Sequence, residues 1–62
     1  MYSGRHIYFL RIIKNLSQRK VTSRLGISQQ ALSKWENEKW LDNKKIERFL
    51  AAVRSTRKEL DE

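Results

Sequence analysis

A chain of 62 residues buries only about 60% of its unfolded surface, which leaves little room for an enclosed active-site pocket. With no Cys and a single His, a disulfide framework, a thiolate metal site and an imidazole cluster are excluded; no stretch approaches the roughly 20 apolar residues of a membrane span, and no signal peptide is visible. The formal net charge is +7, and the excess lies in residues 1–48, with eleven basic and four acidic side chains, whereas 49–62 hold three of each. This balance suits a polyanion such as a phosphate backbone, the plainer account being a solvated charged surface.

Proline is absent, Gly stands only at 4 and 26, and no alternating run of β-branched residues occurs, so an all-α domain is expected. The first helix is predicted over 5–15, capped by Ser3, with Ile7, Leu10 and Ile13 recurring on one side. Ser17 caps a short second helix with Val21 and Leu25 four apart, closed by Gly26 in a left-handed conformation. Ser28 caps a third helix whose Leu32 and Trp35 face inward; Ile27 packs on Leu32 as a staple or fills the core, and the helix ends near Asn37. Asp42 or Asn43 caps a fourth helix carrying Ile46, Phe49, Leu50 and Val53 on one face. Thr56 and Glu59 have capping-box spacing, so either a short fifth helix follows or the fourth runs on and frays. The single domain is thus expected to have its core at 5–54 and a tail at 55–62.

The informative unit is 18–37, two short helices joined by a turn pivoting on Gly26. Packing residues 21, 25, 27, 32 and 35 inward turns Gln29, Gln30, Ser33 and Lys34 outward together. Gln pairs with the N6 and N7 edge of adenine, Lys reaches guanine O6 and N7, and Ser serves either partner. This is the side-chain set of a base-reading surface, although a polar helix face without readout has the same pattern.

Three runs carry a resemblance: Leu10-Arg11 followed by Leu16-Ser17-Gln18, then Leu25 to Gln30, then Ser33 to Asn37. In their order and spacing, from about Ile7 to Val53, the sequence resembles the Cro and phage-repressor family of helix-turn-helix proteins, also called the xenobiotic-response-element family. The resemblance implies a compact four- to five-helix, lambda-repressor-like domain acting as a transcriptional regulator or repressor. It further implies a bacterial or phage source, a cytoplasmic location, double-stranded DNA as partner, and a homodimer on a near-palindromic operator. Gln29, Gln30, Ser33 and Lys34 fall at its base-contacting face. Gln18 resembles the residue that donates to a phosphate at a helix N-terminus, and Ser28 and Asn37 lie at recognition-helix ends that touch the backbone. Arg11 and Glu36 resemble a partly buried structural ion pair, from which Arg11 can also lend a proton to a phosphate. Lys39 and Arg19 are further phosphate candidates, although such a residue alone is more often a solvated surface charge.

The chain departs from the family pattern at Glu38, where Gly is usual, at Thr22, where a small Ala is common, and in the loop before the fourth helix, which has Trp40 and no Pro. Trp40 is expected to cover the core or to stack near the DNA backbone. Thr22 is expected either to bond a backbone carbonyl or to hold the helices slightly apart. The first helix is apolar nearly all round, so Tyr8, Phe9, Ile12 and Tyr2 call for a second buried surface, a partner or the chain's own termini. An enzyme is not expected, since no nucleophile has a neighbouring base and no Gly-rich phosphate loop exists. No cofactor, metal or small-molecule effector site is expected either. The alternative function is a helix-turn-helix protein-interaction module of antitoxin or anti-repressor type, with DNA binding secondary or absent.

Overall fold

The computed structural model describes residues 2–61. Five helices follow one another: α1 (Gly4–Ile13), α2 (Gln18–Leu25), α3 (Gln29–Asn37), α4 (Asn43–Val53) and α5 (Arg57–Leu60). Three of the starts are side-chain caps of the expected kind. Ser17 accepts from the Lys20 amide at 3.1 Å, Ser28 from Ala31 at 3.1 Å and Asp42 from Lys45 at 2.8 Å, each satisfying an amide that the first turn leaves unpaired.

Three of the helix ends share one device. After α1, α2 and α4 a single residue turns left-handed, Asn15 (φ 58), Gly26 (φ 73) and Arg54 (φ 55). The next amide then bonds back to a carbonyl five residues earlier: Leu16 to Arg11 at 3.0 Å, Ile27 to Thr22 at 3.2 Å and Ser55 to Leu50 at 3.0 Å. The Asn15 turn stops α1 at Ile13, two residues before the expected limit. The Arg54 turn decides between the two predicted C-termini, because it closes α4 and leaves α5 as a separate helix. Thr56 precedes α5 without a side-chain cap bond, so the expected capping box is not formed there, and Leu60, buried in the core, holds the helix instead.

Ile7, Val21, Leu32, Ile46 and Phe49 are fully buried and are joined by Leu10, Trp35, Leu41, Leu50, Val53 and Leu60 in one cluster. Ile13 does not join them: it is 79% exposed, contrary to its expected place beside Ile7 and Leu10. The inward stripe of α1 is Gly4, Ile7, Leu10 and Arg11, and a residue two positions past Arg11 lies about 200° round the helix. Thr22 bonds the Arg19 carbonyl at 3.1 Å, the first of its two expected accommodations. Across the α2 and α4 ends, Arg24 donates to the Ala52 carbonyl at 2.9 Å and Arg48 to the Leu25 carbonyl at 3.1 Å, so each helix supplies the other's terminal acceptor with a cation.

One close approach sets the position of α1. At Gly4 a side-chain β-carbon would strike the Trp35 carbonyl oxygen and lie 2.6 Å from that of Glu36, while the Gly4 amide donates to the Glu38 carbonyl at 2.8 Å. The start of α1 therefore rests directly on the end of α3. Next to it, an isolated antiparallel bridge joins Tyr2 to Leu41. Leu41 is buried, and Trp40 is left 55% exposed, so the core position open to either residue of this loop belongs to Leu41 and not to Trp40.

Candidate nucleic-acid interface

The helix α3 is half embedded. Leu32, Trp35 and Glu36 are buried, whereas Gln29, Gln30, Lys34 and Asn37 are exposed and Ser33 is half-buried. Helical spacing places 30, 33, 34 and 37 along one stripe, with Gln29 at its first turn. The stripe therefore presents amide, hydroxyl and ammonium groups to solvent and no carboxylate. Asn37 anchors its lower end by donating from Nδ2 to the Ser33 carbonyl at 2.8 Å.

Behind the stripe lies a polar network that fixes how α3 stands on the rest of the domain. Arg11 Nε donates to Glu36 Oε2 at 2.7 Å, its second terminal nitrogen reaches Glu36 Oε1 at 3.4 Å, and the first donates to the Leu16 carbonyl at 2.9 Å. The guanidinium also sits 5.4 Å from the Tyr8 ring centre. Arg11 is 7% and Glu36 5% exposed, and each Arg11 nitrogen already donates once within the fold, so a phosphate would have to reach the remaining hydrogens of a nearly buried guanidinium. Gln18 belongs to the same network: Nε2 donates to Glu36 Oε1 at 2.9 Å and to Ser33 Oγ at 3.1 Å. A phosphate at the start of α2 would have to draw one of these two hydrogens away, or use the helix amides themselves.

The remaining candidates divide by exposure. Ser28 is the α3 cap, exposed with its Oγ accepting from Ala31. Arg19 and Lys39 are exposed, Arg19 in the first turn of α2 and Lys39 just beyond α3. Glu38, whose carboxylate would repel a phosphate, is neutralised by Lys45 at 2.8 Å. Its backbone is extended (φ −74, ψ 139), so the loop after α3 does not need the glycine that the resemblance led one to look for.

Sequence reasoning overlooked two contributors. The first is Gly4, whose lack of a side chain lets α1 settle on α3. The second is the bond from Gln18 to Ser33 and Glu36. A polar triad at 18, 33 and 36 was the available signal for the latter, since 33 and 36 are one turn apart on the helix facing Gln18.

No curated protein and no solved structure matches the chain. The family described as Helix-turn-helix domain matches residues 4–54, from the start of α1 to the left-handed residue that closes α4, and the chain belongs to that family.

Proposed function

We propose that this protein is a sequence-specific double-stranded DNA-binding regulator of the Cro and phage-repressor type, which lays α3 in the major groove. Helix-turn-helix membership supports DNA as the partner. The observation that carries the reading is the exposed stripe of Gln29, Gln30 and Lys34 on a helix whose opposite face is locked into the core. Such a stripe offers bidentate amides and a long cation to base edges, at positions that do not move independently of the domain. Ser33, half-buried and held by Gln18, adds a hydroxyl at the same face. Arg19, Lys39, Ser28 and Asn37 stand around it for backbone contacts, with Gln18 adding a further donor where a phosphate displaces one of its internal partners. Acting as a homodimer, two copies would read half-sites about one helical turn apart, in a bacterial or phage cytoplasm, without cofactor or small-molecule effector.

The test is selection of retained duplexes from a random pool, followed by binding of Gln29→Ala and Gln30→Ala variants. Recovery of a near-palindromic motif is expected, and each variant should lose about 1–3 kcal/mol of preference at one or two base pairs with unchanged melting temperature. Equal losses on selected and random DNA would remove the base-reading assignment.

A second reading has its own observation. Phe9, Ile12 and Ile13 are 51%, 50% and 79% exposed on the side of α1 opposite Ile7, Leu10 and Arg11. Phe9 and Ile13 border a groove of about 450 Å³ whose lining also includes Leu10, Leu60 and Glu59. An apolar face of this kind favours a protein-contact module, and a protein that binds no duplex in the selection would favour it over the first reading.

A further inference from the structure

The corner between α3 and α4 is built around a tryptophan that the core does not use. Trp40 is 55% exposed, whereas its neighbour Leu41 is 5% exposed, and successive residues of an extended segment point to opposite sides. The corner is fixed at both ends by the N-terminal segment, through Gly4 N to Glu38 O and Leu41 N to Tyr2 O, both 2.8 Å. The indole is therefore displayed from an ordered backbone and not from a loose loop. Exposed Lys39 and Lys44 lie on either side of it in sequence, and the nearby carboxylate of Glu38 is already paired with Lys45.

Position relative to α3 gives the corner its partner. The helix runs nine residues from Gln29 to Asn37, or about 13 Å at its 1.5 Å rise, and a recognition helix enters the major groove with its N-terminal residues at the base edges. If the first turn of α3 reads base edges, the residues just past its C-terminus arrive at the groove rim, where sugars and phosphates stand. An indole offers an apolar face for a deoxyribose and an N–H for a phosphate oxygen.

We infer that Trp40 lays its indole on the deoxyribose-phosphate rim of the duplex read by α3, with Lys39 and Lys44 against neighbouring phosphates, supplying affinity without base preference. The inference rests on the reading of α3 as the recognition helix. Two tryptophans make it measurable, because Trp35 is buried and Trp40 is not. The signal of Trp40 is the difference in fluorescence between the wild-type protein and Trp40→Phe, followed by acrylamide quenching with and without a duplex recovered by selection.

The expected result is that duplex binding shields the Trp40 signal several-fold from acrylamide. Trp40→Ala should weaken binding to the selected duplex and to random DNA by the same factor, roughly tenfold on the scale of aromatic contacts to single bases, with unchanged melting temperature. The inference is overturned if the wild-type protein binds the selected duplex with a preference that depends on Gln29, yet Trp40 stays as open to acrylamide as in the free protein and Trp40→Ala binds as tightly. A wild-type protein that binds no duplex overturns both this inference and the reading beneath it.

Discussion

Gly4 and Gly26 are the only glycines, and the fold needs them for opposite reasons. At Gly26 nothing lies within 4 Å of an added β-carbon, but the backbone is left-handed (φ 73); at Gly4 the helical backbone is ordinary and the space is filled by the carbonyls of Trp35 and Glu36. Gly26→Ala should cost about 1–2 kcal/mol, and Gly26→Asn less, since Asn tolerates this conformation. Gly4→Ala and Gly4→Asn should both be costly, at about 1–3 kcal/mol or more, because α1 must lift from α3 and strain the Gly4 to Glu38 hydrogen bond. Thermal unfolding of the four variants checks this, and equal recovery by Asn at both sites would refute the distinction. Arg11→Ala leaves Glu36 buried with Gln18 as its remaining partner, at about 3 kcal/mol, which for so small a domain lowers the melting temperature by on the order of 15 °C. A melting temperature within a degree or two of the wild type would show that the pair contributes nothing. The Gly26 turn was legible because a glycine between two capped helices has one common use. Gly4 was not legible, since its requirement arises from a helix that is far away in sequence.

Among the elements, α5 depends most on charge. Apart from Leu60 in the core, the ties to its segment are Lys14 with Glu59 at 3.1 Å, Arg57 with Glu47 at 2.7 Å, and the Tyr2 hydroxyl donating to Asp61 at 2.8 Å. The hydrogen bond from Lys14 holds the Glu59 carboxyl below its ordinary value, and the bond to Asp61 holds the Tyr2 phenol above its own. A carboxyl depressed in the folded state stabilises that state above its unfolded pKa, and the contribution is lost as pH falls through the lower folded value. Acidification should therefore loosen α5 from α1 before the rest of the domain unfolds. In an NMR titration Glu59 should protonate below free glutamate, and Lys14→Ala should bring it back towards the ordinary range. A Glu59 that titrates like free glutamate in the wild type would show that the pair is not formed in solution. Such surface pairs add little to global stability, so the expected effect is local. The sequence foretold the capped starts of α2, α3 and α4 well, because Ser17, Ser28 and Asp42 act within one turn of themselves, whereas Ser3, the expected cap of α1, makes no side-chain cap bond. It left the end of α4 open, since nothing in the local pattern around Arg54 says that an arginine takes a conformation usually given to Gly or Asn. The inward face of α1 was misread at Ile13 because apolar periodicity alone does not reveal that Arg11, paired with Glu36, occupies part of the buried stripe.

For the whole molecule, the net charge of +7 understates how the surface is divided. Glu36, Glu38, Glu47 and Glu59 are each tied to a cation of the fold, and the exposed cations outside these pairs include Arg19 in the first turn of α2, Lys34 on α3, Lys39 just beyond it and Lys44 in the first turn of α4. Composition suited a polyanion partner or a solvated charged surface alike, and only the folded arrangement shows which cations are kept for internal pairing and which face outward. The consequence is a salt dependence that belongs to particular residues. Each cation that neutralises a phosphate should contribute about −0.9 to the slope of log affinity against log salt. Lys39→Ala should therefore flatten the slope by about one unit per bound chain, and by the same amount on selected and random duplexes. Gln29→Ala should leave the slope alone and lower affinity only where its base pair is present. Lys58→Ala, on the exposed side of α5, serves as the control for net charge, because it removes the same charge from a helix assigned no DNA contact. If Lys39→Ala and Lys58→Ala flatten the slope equally, the domain binds as a diffuse polycation, and the directed interface around α3 is refuted even where a sequence preference survives.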